Sequence, residues 1–395
     1  MFRLLPENDG AASFPPVAPS SNFRNSNWII LKKGYLYNNV SVKESPMYGR
    51  IKTVIFLLAV AMLAACAKGK DGTSYDGIPL VILDTDLGSS TDDLFAMEML
   101  YRYEEEGKCK LLGVVVDREG DACAAVADVM NTYFNHADTP IGLIRKGIPS
   151  PRVWIDYKSL PAYTDDRGEA LFRRSVSDCS TLPDGWELYR RLLASAPDNS
   201  VTICSIGFVT SLAQLLESGP DGYSPLSGVD LVRRKVRRIQ LMGGVFGDSV
   251  EPDFNFAQGL SFAQTFFRLW PQDVDIVFTP MEAGDPVEYT PEQVLADISW
   301  TDVHPIKQVY LTCECDTGQK MWDPLTVINA VEGDPLFTLS PRGTVTLSDK
   351  AVTTFTASPD GNCRYQIAGD AAWAERMLGK IRACNRLPAK TRLQP

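Results

Sequence analysis

The sequence predicts an α/β protein: an open, mainly parallel sheet flanked by helices, with a small antiparallel appendage near the carboxyl end. Three observations carry the prediction. Six apolar runs of strand length recur between residues 80 and 279. Helical patterns alternate with most of them, the order that right-handed crossovers between parallel strands require. No low-complexity break or repeat interrupts residues 80–385, so one large domain accounts for them.

The expected strands are Leu80–Asp86, Leu111–Asp117, Thr139–Ile144, Ser200–Ile206, Val236–Met242 and Val274–Thr279, each apolar enough to be central. The expected helices are Asp92–Glu106, Asp121–Asn135, Gly185–Ser195, Thr210–Glu217 and Leu260–Trp270. In the first helix Leu94, Met97, Leu100 and Tyr101 repeat at helical spacing. Ser90 or Thr91 can cap it, and Asp92 and Asp93 suit the positive end of its dipole. Two more helices are expected near Pro305–Thr312 and Pro324–Val331, with Asp323 as the N-cap of the second. Residues 343–368 alternate with period two, as antiparallel strands do, and Ala371–Ala383 reads as a closing helix.

The amino-terminal region is of another kind. Residues 1–46 show no periodicity and read as an upstream extension, with translation starting at Met47. Residues 47–66 combine a basic flank (Arg50, Lys52), an apolar run from Thr53 to Leu63, and the small residues Ala64 and Ala65 before Cys66. That is the make-up of a secretory signal, and the run is short for a membrane span. Leu63-Ala64-Ala65-Cys66 resembles a bacterial lipoprotein signal, which implies lipidation of Cys66 and a place at the cell envelope, on the periplasmic or surface side. Residues 67–79 read as a flexible tether.

Seven of the 39 basic and three of the 49 acidic residues lie in 1–65, so the chain from Cys66 onward carries 32 bases against 46 acids, a net charge of −14. A chain so acidic is a poor polyanion binder, which argues against nucleic acid as a partner. Export permits disulfides among the eight cysteines after Cys66, although Cys204 sits in an apolar strand and reads as a packed thiol. Cys313 and Cys315 have no second pair at zinc-finger spacing.

The chemistry concentrates where strands end. Asp84, Asp86, Asp92 and Asp93 fall within ten positions around the end of the first strand. Capping explains one or two of them. Four carboxylates converging at one point need a cation or a shared proton, and hard oxygen ligands favour Ca2+ or Mg2+. Other strand ends add polar groups: the carbonyls at Ile206-Gly207, the loop from Met242-Gly243-Gly244 through Asp248, Glu251, Asp253 and Asn255, Glu282, and Trp322-Asp323. Open α/β sheets bind ligands at this end.

Taken in order, these segments resemble the inosine–uridine-preferring nucleoside hydrolase family. Asp84-Thr85-Asp86-Leu87-Gly88 followed by Asp92-Asp93 is similar to a variant branch reading Asp-Thr-Asp-Ile-Gly-Asn-Asp-Ile-Asp-Asp, with Ser90 in place of its extra aspartate. "SIGFVTSLAQLL" resembles the family's Gly-Pro-Leu-Thr-Asn-Leu-Ala segment, and "MGGVF" with "DFNF" its Met-Gly-Gly and Glu-Phe-Asn segments. "WDPLTV" resembles its His-Asp-Pro segment, with Trp322 in place of histidine.

The resemblance implies Ca2+ held by Asp86, Asp93, the Ile206 carbonyl and Asp323, with Asp86 also deprotonating the attacking water. It implies that Asp92, Asn255 and Asp253 hold ribose hydroxyls, that Met242 lies under the sugar, and that Asp84 supports the metal ligands from behind. Two departures touch the leaving group. The family histidine is absent, since neither His136 nor His304 matches it, and "DREGDA" replaces the usual Ala-Gly-Asn, with Glu119 nearest. The base must then leave as an anion, be protonated by water, stack on Trp322, or find an acid in Glu282 or Tyr310. The expected function is Ca2+-dependent hydrolysis of nucleosides or related small-molecule ribosides, in a lipid-anchored chain compatible with a homo-oligomer. Its rival is a non-catalytic riboside-binding lipoprotein.

Overall fold

Val81 and Leu83 pack into one hydrophobic cluster, and their neighbours Leu80 and Ile82 pack into another. That alternation is what a strand does when both faces of its sheet are covered. The strand is Leu80–Thr85 (β1), at the centre of a computed structural model that describes residues 77–88, 90–148, 155–313 and 315–388. All of these lie in one of two compact units, Leu57–Pro395. The extension 1–46, the signal 47–66 with Cys66, and the tether up to residue 76 lie outside the described residues.

The remaining strands are Lys110–Arg118 (β2), Ile141–Ile148 (β3), Val201–Ser205 (β4), Val236–Met242 (β5), Asp275–Thr279 (β6), Glu288–Tyr289 (β7), Gln319–Lys320 (β8), Thr338–Leu339 (β9), Gly343–Leu347 (β10), Thr353–Ala357 (β11) and Cys363–Ile367 (β12). The helices are Asp92–Glu105 (α1), Asp121–Tyr133 (α2), Gly185–Ser195 (α3), Thr210–Glu217 (α4), Gly228–Lys235 (α5), Phe254–Gln258 (α6), Leu260–Leu269 (α7), Met281–Gly284 (α8), Pro291–Asp297 (α9), Pro305–Thr312 (α10), Trp322–Glu332 (α11) and Ala371–Asn385 (α12).

The main sheet runs β11-β10-β12-β6-β5-β4-β1-β2-β3, and β1 to β6 pair in parallel with their neighbours. Helices α1, α2, α11 and α12 bury their apolar sides in one cluster, and α3, α4, α5 and α7 in the other. The expected antiparallel strands are β10 and β11, and they join the sheet through β12, which pairs in parallel with β6. A separate antiparallel pair, β7 with β8, has no counterpart in the sequence reading, because two-residue strands carry no periodicity. No helix among the described residues is long and apolar enough to cross a membrane.

Several boundaries differ from expectation for local reasons. β1 stops at Thr85, which leaves Asp86 as the first residue of the loop. β3 starts at Ile141 instead of Thr139, because Pro140 has no N–H for the ladder. The second helix ends at Tyr133, since Asn135 takes a left-handed φ of 62°. Thr91 occupies the N-cap position of α1, but neither it nor Ser90 caps with its side chain: the Thr91 hydroxyl meets that of Tyr310 at 3.1 Å, and Ser90 donates to Asp92. Met321, not Asp323, caps α11, so the Asp323 carboxylate sits inside the first turn. All eight cysteines after Cys66 are free thiols.

Candidate active site

The chain winds outward from β1 through β2 to β3, then crosses back and winds the other way through β4, β5 and β6. The carboxyl ends of β1 and β4 therefore flank the point where strand order reverses, the usual position of a crevice in such sheets. A cavity of about 410 Å3 lies there. Asp86, Asp92, Asp93, Ile206, Met242, Asp253, Asn255, Trp322 and Asp323 all line it. Asp84 does not, and neither do Glu119, Glu282 and Tyr310, the candidates for handling the leaving group.

Each side chain arrives by a simple route. Asp86 leaves the end of β1, while Asp92 and Asp93 open α1, where they face back towards that strand end. Ile206 follows β4, and its N–H donates to the carbonyl of Asp84 at 2.7 Å. Gly207 is required next: a Cβ there would stand 2.7 Å from both the Asp86 nitrogen and Asp117 Oδ1. Val209, β-branched yet left-handed at φ 55°, marks strained backbone at the same corner. Met242 ends β5, and Gly244 follows with a φ of 87° that suits glycine.

Asp253 is engaged on both oxygens. Oδ2 accepts from Gly244 N and Oδ1 from Phe256 N, both at 2.8 Å, so it clamps the β5 loop to the start of α6. One residue inside that helix, Asn255 donates to the Met242 sulfur at 3.1 Å. Trp322 lies over Gly284, and its indole N–H donates to the carbonyl of Met281 at 3.1 Å and to Asp285 Oδ1 at 3.2 Å.

Beneath the cavity floor Asp84 is fully buried and accepts from the Tyr189 hydroxyl at 2.8 Å. Its carboxyl lies beside that of Asp117, which accepts from Phe208 N at 2.8 Å. Burial pushes Asp84 up to about 6 and holds Asp117 well above the usual carboxylate range, with the neighbouring carboxyl raising it further. Through the Phe208 N–H, Asp117 ties the end of β2 to the segment that follows β4.

Among the described residues, Arg118 is the one buried cation beside Asp86. Its Nε donates to the Asp86 carbonyl at 2.8 Å and Nη2 to Asp86 Oδ2 at 2.9 Å, with the guanidinium 5.1 Å above the Phe208 ring. Burial still raises Asp86, with Arg118 working against it. Asp92 is pushed up to about 7, chiefly by burial. Asp93 and Asp323 are held well above the usual carboxylate range by burial first and by neighbouring carboxylates second. Carboxyls in this condition gain a great deal from a cation.

Residues 81–368 match the family model described as inosine-uridine preferring nucleoside hydrolase. The chain belongs to that family. Membership makes it an N-ribosyl hydrolase. Similar folds are found in a plant nucleoside hydrolase (TM-score 0.57, 18% identity, covering 78% of this chain and 99% of that one) and in an inosine-uridine preferring nucleoside hydrolase from Bacillus anthracis (0.57, 17%, 78% and 99%). A third is the type III effector protein XopQ complexed with adenosine diphosphate ribose (0.57, 16%, 83% and 98%). No curated protein matches the sequence closely enough to count as a relative.

In this hydrolase the residues fit a metal ion. Asp92, Asp93 and Asp323, all buried, offer carboxylate oxygens within 4.8 Å of one another. An all-oxygen donor set under mutual repulsion suits a hard divalent cation. Asp86 stands outside this trio with one oxygen on Arg118, so a cation drawing on Asp86 shares it with the guanidinium.

Three features of the site escaped the sequence reading. Asp117 reads from the sequence as the end of a strand and Arg118 as part of the loop after it, and nothing local marks either as support for Asp86. Gln319 donates to Asp92 Oδ1 at 3.2 Å from a strand too short to foresee. Thr85 donates to Asp93 as the last inward residue of β1, and the side on which a terminal hydroxyl emerges was the only available signal. Glu119, the nearest counterpart to the family's asparagine, accepts from Gly147 N at 2.9 Å and does not line the cavity.

Proposed function

We propose that the protein is a Ca2+-dependent hydrolase of the N-glycosidic bond of nucleosides or related ribosides, tethered at the cell envelope through a lipid on Cys66. The observation that carries this reading is the buried trio Asp92, Asp93 and Asp323 beside Asp86, in a cavity whose other walls are Met242 and Asn255. Ca2+ bound there would lower the pKa of the attacking water and orient it. Asp86 removes the water's proton, with one carboxylate oxygen fixed by Arg118. Asp92 and Asn255 hold ribose hydroxyls and Met242 supports the ring from below, which positions C1′ for attack. The surrounding carboxylates stabilise positive charge as it develops on the sugar. Asp253 acts by holding Asn255 in place, since both its oxygens are committed to backbone N–H groups.

The test is release of ribose from inosine, uridine and p-nitrophenyl riboside, before and after chelation and with Ca2+ restored. Turnover lost on chelation and regained with Ca2+ supports the reading. Tight riboside binding without turnover would favour the binding-protein alternative. For the anchor, Cys66→Ala should release the protein from the membrane fraction and abolish labelling by fatty acid.

A further inference from the structure

The same cavity bears on the leaving group. Breaking an N-ribosidic bond leaves its electron pair on the departing nitrogen. A neutral base then leaves as an anion unless a proton reaches it. Among the described residues, the cavity lining contains no histidine, tyrosine or cysteine. Among the described residues, the nearest N–H and O–H donors are engaged. The Trp322 N–H is held by Met281 and Asp285, the Tyr157 hydroxyl by the Ser90 carbonyl at 2.6 Å, and the Tyr310 hydroxyl by Thr91. Glu282 turns Oε1 to the N–H of Phe246 at 2.8 Å and does not line the cavity, and His304 is buried away from it among the rings of Tyr133, Phe134 and Trp300. Lys320, the one lysine in the lining, is ion-paired to Glu288.

The charge balance points the same way. Asp86, Asp92, Asp93, Asp253, Asp316 and Asp323 line the cavity. A divalent cation cancels two of these charges and Arg118 a third, so the occupied site stays acidic. Asp316 is exposed on the rim formed by residues 316–320, the side on which Trp322 also lies.

We infer that the aglycone carries a fixed positive charge: the protein cleaves ribosides of quaternary, pyridinium-type heterocycles. This inference rests on the N-ribosidase reading above. When the C1′–N bond breaks, its electron pair cancels the charge on nitrogen and the heterocycle departs neutral, with no proton needed. Water supplies the hydroxyl of the ribose product, and its proton passes to Asp86 and then to solvent. The acidic wall attracts the cationic ring and repels 5′-phosphorylated analogues.

The experiment compares N-ribosylnicotinamide, p-nitrophenyl riboside and inosine on the full-length, Ca2+-loaded protein. The second is neutral with a good leaving group, so it separates charge recognition from intrinsic reactivity. We expect the highest kcat/KM for N-ribosylnicotinamide, with a KM that rises several-fold between about 20 and about 500 mM salt while the neutral substrates keep theirs. Asp316→Asn should raise KM for N-ribosylnicotinamide more than for p-nitrophenyl riboside. Inosine cleaved as well as N-ribosylnicotinamide, or a salt-independent KM for the cation, overturns the inference and leaves the N-ribosidase reading intact. No ribose from any of the three removes both.

Discussion

The two ends of the cavity are built differently. The proposed sugar end consists of Asp86, Asp92, Asp93 and Asp323, buried at a strand end and in the first turns of two helices, with Asp84, Asp117 and Arg118 buried beside them. The proposed aglycone end consists of residues 316–320, on a short loop and a two-residue strand, and Trp322 at the start of α11; Asp316 and Thr317 are exposed and the rest is half-buried. Burial makes the first end rigid and electrostatically intense, so single changes there should be severe. Solvent screens the second, where changes should be graded.

The largest effect should come from Asp93→Ala, which removes one carboxylate of the trio. Loss of turnover on the order of 1,000-fold or more is expected, together with loss of the rise in melting temperature that the proposal expects Ca2+ to give the wild type. A wild type whose melting temperature ignores Ca2+ would erase the proposed distinction between the two ends. Asp86→Asn comes next. The amide still fits beside Arg118 but cannot accept the water's proton, so kcat should fall by about 100- to 10,000-fold with the melting temperature little changed. An unaltered kcat would remove Asp86 from the role of base.

The sugar end also fixes the pH dependence of stability. Burial raises Asp92 to about 7, and Asp84 and Asp253 to about 6, from 3.8. Well below pH 3.8 these groups are protonated in both the folded and the unfolded chain. Between pH 4 and 7 the unfolded chain loses their protons first, so the metal-free protein loses stability as pH rises through that window. Ca2+ requires the ionised carboxylates, so its stabilising effect should grow over the same window. Melting temperatures with chelator and with Ca2+ at pH 4.5 and 7.5 measure both trends. A metal-free protein more stable at the higher pH would contradict the burial of these acids.

The same contrast governs what could be read from sequence. The sugar end was legible because a strand, a turn and a helix placed four acids within ten positions, and repulsion among them demands an explanation whatever the fold. Its support was not. Arg118 and Asp117 are ordinary charged residues in a row until β2 is laid beside β1 with Val116 opposite Thr85, which carries the next two residues under Asp86. Tyr189 reaches Asp84 from 105 positions away, a distance no local pattern spans. At the other end, β7 and β8 pair over two residues each, too few for any period to show.

The smallest effect should be that of Trp322→Ala, and it sharpens the comparison most. The indole cannot act as a general acid, and its N–H is bonded to Met281 and Asp285 in any case. Gly284 leaves room for the ring, since a Cβ there would come within 2.0 Å of Trp322 Cδ1. The ring is therefore held in one orientation, half-buried, at the cavity wall. A fixed aromatic face contributes to binding of an aromatic aglycone about equally before and during bond cleavage. Its loss should raise KM for p-nitrophenyl riboside about 3- to 10-fold, the equivalent of roughly 0.5–1.5 kcal/mol of stacking, and leave kcat nearly unchanged. A fall in kcat comparable to that of Asp86→Asn would show that the wall positions C1′ as well as the ring, and the division between a rigid sugar end and a graded aglycone end would no longer hold.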